Sequence, residues 1–417
     1  MFKRVLIANR GEIAVRIIRA CQEMGIETVA VYSDEDADAM HVRLADYSYN
    51  IGPADASESY LNIDALMEAA ERTEADAVHP GYGFLSEDAD FAEMVTKAGM
   101  TWIGPWADTI RKVGDKDEAR AAMIPSGIPM SKGSTPLTSV EDAVEQAKDV
   151  GYPIILKPVA GGGGKGMLIA NSEDDLRNIL TIIDINKVKY YFEHYIEHSR
   201  HIEVQIVADN YGHVIHLGER ECSLQRRNQK LLEESPSIAL TPDRRAEVGA
   251  LAIKAAKSVH YNNIGTVEFL LDLKTNQFNF MEINPRIQVE HGVTEAVTGI
   301  DLVRTQIRIA AGESLDLQQE DVKFTGHAIE CRINAEDPDN NFMPSPGKID
   351  FFLEPGGPRV RVDSGVCAGL SISPYYDSLI AKIVVRGRTR GDAIKIMRRA
   401  LNEFKVGGIK TTIPLHQ

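Results

Sequence analysis

Residues 278–291 read FNFMEINPRIQVEH. The stretch opens as a strand, with Phe278, Phe280 and Ile283 apolar and Asn279 and Glu282 among them. It then presents Glu282, Asn284, Arg286, Gln288 and Glu290, all at even positions. Side chains two apart on an extended chain point to one face, so these five are expected to line one surface. Two carboxylates, a guanidinium and two amides are costly to bury unless something charged fills the space between them. Carboxylates with an amide oxygen suit a hard cation such as Mg²⁺. An arginine close by suits a small planar anion. A metal, an anion and a base on one ribbon make a phosphoryl-transfer site. The alternative is a solvated face of an edge strand, and the strongly apolar flanking residues count against it.

The rest of the chain gives this ribbon a setting. Its 417 residues are 43% hydrophobic and 26% charged, as in an ordinary globular protein, and the length suggests two to four domains. A net charge of −15 counts against nonspecific binding to nucleic acid, and an acidic chain that takes anionic substrates must place its lysines and arginines locally. Cys21, Cys222, Cys331 and Cys367 lie far apart with no CxxC pair, which argues against a zinc site or a disulfide framework and fits a reducing cytoplasm. The opening residues MFKRVLIANRGEIA hold too short an apolar stretch for a signal peptide, and no run reaches membrane-spanning length. A cytoplasmic protein with no membrane and no nucleic-acid partner is the expectation.

The first hundred residues read as a βαβ opening: a strand at 5–8, a helix from Glu12 to Met24 carrying Ile13, Ile17, Ile18 and Cys21, a stop at Gly25, and a strand at 27–33. A nicotinamide cofactor is not expected, because a single Gly11 stands where GxGxxG is required. A further strand end spills into HPGYGFLSED (79–88), and ligands in open α/β sheets bind at such edges, although HPGY alone could be only a turn.

The middle carries a strand at 153–158 with Lys157, then Gly161 to Gly164, Lys165 and Gly166, then a second strand. The glycines free backbone N–H groups to close on phosphate oxygens, but the spacing is not that of a P-loop, and a strand follows where a helix should. A hairpin with a glycine tip acts as a lid over ATP; without flanking apolar strands it would read as a linker. Residues 200–209 alternate as a strand with His201, Glu203 and Gln205 on one face; alone, His201 reads as structural. Arg220, Arg226, Arg227 and Lys230 fall within eleven residues, and the cluster is expected to face an anion.

Eight stretches, LIANRGEIAVRIIRA, HPGYGFLSE, LKPVAGGGGKGM, CSLQRRNQK, MEINPRIQVEH, HAIECRINAED, FMPSPGKI and YYDSLIAKI, occur in this order across nearly the whole chain. Together they resemble biotin carboxylases, the ATP-grasp subunits of acetyl-CoA, pyruvate and related biotin-dependent carboxylases. The resemblance implies a mixed α/β and α+β, three-part ATP-grasp architecture. Its parts would be an N-terminal Rossmann-like domain over 1–114, an ATP-grasp domain over 115–312 with a glycine-loop lid at about 131–200, and a C-terminal mixed α/β domain over 313–417. It also implies the reaction: ATP and bicarbonate give carboxyphosphate, which carboxylates biotin carried on another protein. The implied cofactors are ATP, Mg²⁺ or Mn²⁺ and bicarbonate. The implied partners are a second copy in a homodimer, a biotin carboxyl carrier protein or domain, and a carboxyltransferase subunit.

Residue by residue, the resemblance places Lys116, Lys157, Gly163 and Gly164 on the ATP phosphates and Glu193, His194, Tyr195 and Ile196 at the adenine. His201, Gln225 and Asn228 fall on the nucleotide side. Glu268 and Glu282 become the metal carboxylates, with Asn284 beside them. Lys230, Arg286, Gln288 and the backbone of Val289 cradle bicarbonate, Glu290 is the base, Arg332 faces the biotin ureido oxygen, and Tyr82 and Gly83 belong to the biotin-side loop. The chemistry fits these types. Bicarbonate needs a carboxylate base to attack the γ-phosphate, Arg332 can stabilise an enolate-like oxygen, and a lid must keep water from carboxyphosphate.

Asn228 stands where relatives carry His, His194 where many carry Lys, and the stretch between Met167 and Glu193 is shorter than the family pattern. No AMKM-type attachment motif is present, so biotin is expected on a separate carrier. Another ATP-grasp carboxylate or bicarbonate ligase would share the lid and the metal carboxylates but would not need RIQVEH together with ECRINAED. A noncatalytic ATP-binding subunit would be expected to have lost Glu290 or Arg286.

Overall fold

The computed structural model describes residues 1–159, 166–185 and 187–417. The N-terminal region is a parallel sheet of β1 (Arg4–Ile7), β2 (Glu27–Tyr32), β3 (Tyr47–Asn50), β4 (Ala77–His79) and β5 (Thr101–Trp102), in the order β3-β2-β1-β4-β5. Between β1 and β2 runs the helix Gly11–Glu23, whose Ile13, Ala14, Ile17, Ile18 and Cys21 are buried, as its spacing requires. The loops after β1 and β4 meet at the carboxyl edge, where Asn9 Nδ2 donates to the carbonyls of Pro80 and Tyr82, each at 2.7 Å. Gly81 makes this approach possible: its φ is +65°, and a Cβ there would lie 2.9 Å from Asn9 Nδ2.

A small antiparallel sheet follows, β6 (Ile154–Pro158), β7 (Leu168–Ala170) and β8 (Tyr190–His194), ordered β7-β6-β8. The helices Val140–Val150 and Glu173–Ile182 cover it through Ala143, Val144, Ala147, Leu176 and Leu180. Gly163 and Gly164, between β6 and β7, lie outside the described residues.

The largest element is an antiparallel sheet of eight strands. Its members are β9 (Ser199–Ala208), β10 (Val214–Arg226), β11 (Gln229–Ser235), β12 (Asn263–Asp272), β13 (Phe278–Asn284), β14 (His327–Asn334) and the strands Val360–Ser364 and Leu379–Gly387. Their order is β13-β12-β9-β10-β11-β14, then Leu379–Gly387, then Val360–Ser364, so the sheet continues unbroken across residue 312. On β9, Ile202, Val204 and Ile206 pack with Val248, Ala252 and Ala255 of the helix Pro242–Ser258. The opposite face of the same strand is polar at His201, Glu203 and Gln205. At Val207 it turns apolar and joins the core shared with the helix Gly11–Glu23. One strand thus buries a hydrophobic face along its length and offers a polar patch at one end only. This patterning puts the site at that end of the sheet.

The N- and C-terminal regions meet through close backbone packing. A Cβ on Gly365 would lie 2.5 Å from the Glu12 nitrogen and 2.7 Å from the Gly11 carbonyl carbon. No helix among the described residues is long and apolar enough to cross a membrane. All four cysteines are free.

Gly365→Ala should force the helix Gly11–Glu23 away from the C-terminal region and destabilise the protein by about 1–3 kcal/mol, the usual cost of overpacking. Thermal unfolding followed by circular dichroism measures it, and an unchanged midpoint would show that the contact is not tight.

Candidate active site

The polar ribbon is built differently from its sequence reading. β13 ends at Asn284, residues 285–290 form a turn, and Glu290 is the N-cap residue of the helix His291–Thr298. The even-numbered side chains therefore converge because the chain folds around them, and no single pleated face carries all five. Pro285 has no N–H to continue the ladder, which accounts for the break.

The convergence centres on Lys230 Nζ. The ammonium donates to Glu290 Oε1 at 2.9 Å, Glu268 Oε1 at 3.1 Å and Gln288 Oε1 at 3.2 Å, and also to Glu203 Oε1. Three strand spacings would put β11 about 14 Å from β12 in a flat sheet, so the sheet must curl to help Lys230 reach Glu268. Asn284 Nδ2 and Gln288 Nε2 both donate to Glu268 Oε1, at 2.8 and 3.0 Å. His201 Nε2 donates to Glu268 Oε2 at 2.6 Å, and the Gln225 amide meets His201 Nδ1 at 3.2 Å. Burial opposes charge on His201, but Glu268 and Glu203 outweigh it and raise its pKa to about 10. His201, Glu203 and Glu268 sit close enough together to hold a metal.

Glu290 bridges two cations: its Oε1 meets Lys230, and its Oε2 takes Arg332 Nη2 at 2.8 Å. Burial pushes its pKa up, but Lys230 and Arg332 together hold it well below the usual carboxylate range, so the group is ionised. Arg332 Nε donates to Glu233 Oε1 at 2.6 Å.

Glu268 and Glu282 stand directly opposite each other on β12 and β13, beside a register shift at Phe269. The protein packed around Glu282, then repulsion from Glu268 and Glu87, raises its pKa, while part of the residue stays exposed to solvent. Two opposed carboxylates with the Asn284 amide alongside make an all-oxygen donor set that suits Mg²⁺. Arg286 Nε donates to Glu87 Oε1 at 2.6 Å and Nη2 to Asn284 Oδ1 at 3.3 Å. The Val289 carbonyl accepts from Lys382, a fully buried lysine 3.3 Å from Glu12 Oε1, and Glu12 also accepts from the Tyr82 hydroxyl. Gly83 is exposed with φ +67°.

The residues expected on the nucleotide side form a second group. Lys157 Nζ and Arg120 Nη1 hold the two Glu193 oxygens at 2.7 and 3.0 Å. Lys116 Nζ lies 5.9 Å from the Tyr191 ring centroid. His194 Nδ1 donates to the Gly151 carbonyl at 3.1 Å and the Tyr195 N–H to Pro153 at 2.8 Å, with Ile196 next in the chain. Asn228 occupies a hairpin tip at φ +64°.

The expected anion-facing arginine cluster is not formed. Arg220 is wholly buried among Glu203, Gln205, Thr266 and Thr294, while Arg226 and Arg227 turn to Asn341, and only Lys230 enters the site. The reason is the register shifts and the hairpin turn: β10 is irregular between Glu221 and Gln225, and Arg226 and Arg227 lie at the hairpin end, away from the buried face where Arg220 and Lys230 both meet Glu203. Sequence reasoning missed Glu233, Arg120 and Lys382, and it set Glu203 on the His201 face and Glu87 in the ligand-side loop 79–88 without a role for either. Lys382 is the one charge inside the apolar run LIAKIVV, so it carried a signal. Arg120 carried none.

Three family descriptions match in succession: "Biotin carboxylase, N-terminal domain" over 1–110, "Carbamoyl-phosphate synthase L chain, ATP binding domain" over 115–318 and "Biotin carboxylase C-terminal domain" over 330–417. Biotin carboxylase 1 of Bacillus subtilis is 56% identical, with 100% of this chain and 94% of that protein covered. The biotin carboxylase domain dimer of Hydrogenobacter thermophilus 2-oxoglutarate carboxylase, solved with MgADP, ADP and bicarbonate, superposes with a TM-score of 0.95 at 48% identity, covering 100% of this chain and 93% of that one. The crystal structure of the biotin carboxylase subunit of pyruvate carboxylase superposes with a TM-score of 0.86 at 49% identity, with the same coverage of 100% and 93%. Flanked on both sides by biotin carboxylase domains, the ATP-binding region is not that of a carbamoyl-phosphate enzyme: the chain belongs to the biotin carboxylase family.

Proposed function

We propose that this enzyme uses ATP and bicarbonate to carboxylate biotin presented on a carrier protein or domain, as the biotin carboxylase subunit of a pyruvate or acyl-CoA carboxylase. The observation that carries this reading is the double grip on Glu290, with Lys230 at one oxygen and Arg332 at the other. A carboxylate held between a cation suited to bicarbonate and a cation suited to the ureido oxygen is the arrangement this reading asks of a base. The same grip makes Glu290 a weak base while both contacts last. Bicarbonate must therefore draw Lys230 away as it binds, and Glu290 recovers its basicity only when substrate is present. The anion would take Lys230, Arg286, Gln288 and the Val289 backbone, with Arg286 giving up part of its contact with Glu87.

On the nucleotide side, Lys116, Lys157, Gly163 and Gly164 would take the phosphates. Glu193, His194, Tyr195 and Ile196 would border the adenine, with His201, Gln225 and Asn228 nearby. Mg²⁺ or Mn²⁺ held by Glu268 and Glu282 beside Asn284 would neutralise phosphate charge. Tyr82 and Gly83 would border biotin. The functional division is 1–114, 115–312 with a lid at about 131–200, and 313–417. We place the enzyme in the cytoplasm, consistent with four free cysteines, as a homodimer served by a biotin carrier and a separate carboxyltransferase subunit that determines the acceptor.

Glu290→Gln keeps size but removes the base, and biotin carboxylation should fall roughly 10²-fold or more with ATP affinity little changed. Arg332→Ala should still cleave ATP in the presence of bicarbonate but uncouple that cleavage from carboxylation. The ratio of ADP to carboxybiotin, measured for each variant with free biotin, decides both. Full activity of Glu290→Gln would remove it as the base, and tight coupling in Arg332→Ala would remove Arg332 from biotin.

Glu282→Gln should abolish Mg²⁺-dependent ATP cleavage and leave the far-ultraviolet circular dichroism unchanged, since part of the residue is exposed to solvent and it supports no core contact. Near-normal cleavage would take Glu282 out of the metal site.

A further inference from the structure

Behind Arg332 lies a second pair of carboxyl groups. Glu233 on β11 and Glu330 on β14 are direct cross-strand partners, both completely buried, and Arg332 shares their face two residues along β14. On the next strand Val384 pairs with Glu330 and Lys382 with Arg332. The first turn of the helix His291–Thr298 closes the space from above, because a Cβ on Gly292 would lie 2.9 Å from Glu330 Oε2. Glu233 Oε1 accepts from Arg332, but Glu233 Oε2 and both Glu330 oxygens have no hydrogen-bond partner among the described residues.

Two ionised carboxylates at cross-strand distance, withdrawn from solvent and with three oxygens unmatched by any described residue, would strongly destabilise the fold. One proton between them resolves this, because a carboxylic acid donates where a carboxylate only accepts. We propose that Glu233 and Glu330 form a buried carboxyl pair sharing one proton, and that this pair is a positioning device which holds the Arg332 guanidinium in place through Glu233. Burial, and then the charge of Glu233, push Glu330 well above the usual carboxylate range, opposed only in part by Lys382, so the proton rests mainly on Glu330. Burial pushes Glu233 up as well, to about 7, but Arg332 pulls it down, so Glu233 keeps the larger share of the pair's charge. If both were ionised, Arg332 would be drawn inward, away from the mouth of the site; if both were neutral, only Glu290 would hold it. The function assigned to this device rests on the reading of Arg332 as the residue that faces biotin.

Two measurements separate the pair from that reading. The infrared difference spectrum of wild type minus Glu330→Gln, taken on the full chain at neutral pH, should contain a protonated-carboxyl carbonyl band that shifts in deuterium oxide. Absence of the band overturns the shared proton, whatever Arg332 does. In the coupling assay, Glu233→Gln should lower carboxybiotin formed per ADP by roughly 10²-fold, the scale of an ångström-level misplacement, while bicarbonate-dependent ADP release persists. Glu330→Leu should move the ratio in the same direction, and Glu330→Gln, whose amide can donate as the acid does, should restore most of it. A wild-type ratio in Glu233→Gln, or equal ratios for the two Glu330 variants, overturns the positioning role. If Glu330→Leu does not fold, the infrared band and Glu233→Gln still decide.

Discussion

Charge closure around one lysine is the constraint on which the site depends. Glu203, Glu268 and Glu290 are almost entirely withdrawn from water, and each would be strongly destabilising without a cation. Lys230 meets all three, His201 adds a second cation at Glu268, Arg220 supports Glu203 from within the sheet, and Arg332 takes the far oxygen of Glu290. Removing any one of these groups leaves a buried charge unmatched, so the members stand or fall as a set. The arrangement stores polarity that an anionic substrate can exchange into, since a ligand that offers Lys230 an equivalent oxygen replaces part of the contact it displaces, against the cost of shedding its own water.

Much of this was legible from the sequence, for reasons that can be given residue by residue. The βαβ opening followed from apolar strands and a helix-spaced Ile13, Ile17, Ile18 series, and the structure has both. The gathering of Glu282, Asn284, Arg286, Gln288 and Glu290 was readable as polarity that needed a purpose. Its geometry was not, because Pro285 breaks the strand and a turn brings Glu290 to Lys230 from another direction. Local spacing describes one element at a time, and the partners that decide the site come from five different strands. Glu87 shows the limit: it sits 199 positions from Arg286, and nothing in either stretch announces the other.

The arginine cluster shows the opposite error. Proximity in sequence suggested a shared target for Arg220, Arg226, Arg227 and Lys230, but a strand and a hairpin tip send them to three places. Arg220 became a buried cation whose hydroxyl, amide and carboxylate partners come from β9, β12 and the helix His291–Thr298. A charged residue inside a strand that is otherwise buried is better read as a demand for an internal counter-charge than as a surface contact.

The eight-stranded sheet that crosses residue 312 turns a division by sequence into a single mechanical object. β12 with Glu268 and β14 with Arg332 are plies of one hydrogen-bonded plate, separated by β9, β10 and β11. Register shifts in β10 and at Glu268 act on that plate as creases act on a folded sheet of card: they set how far it closes on itself. The spacing between β12 and β14 is therefore a property of curvature, tuned in part by irregularities such as that between His216 and Glu219, outside the polar cluster. A change that relaxed one crease would open the whole cradle at once and leave every catalytic side chain chemically intact but out of reach of its neighbours.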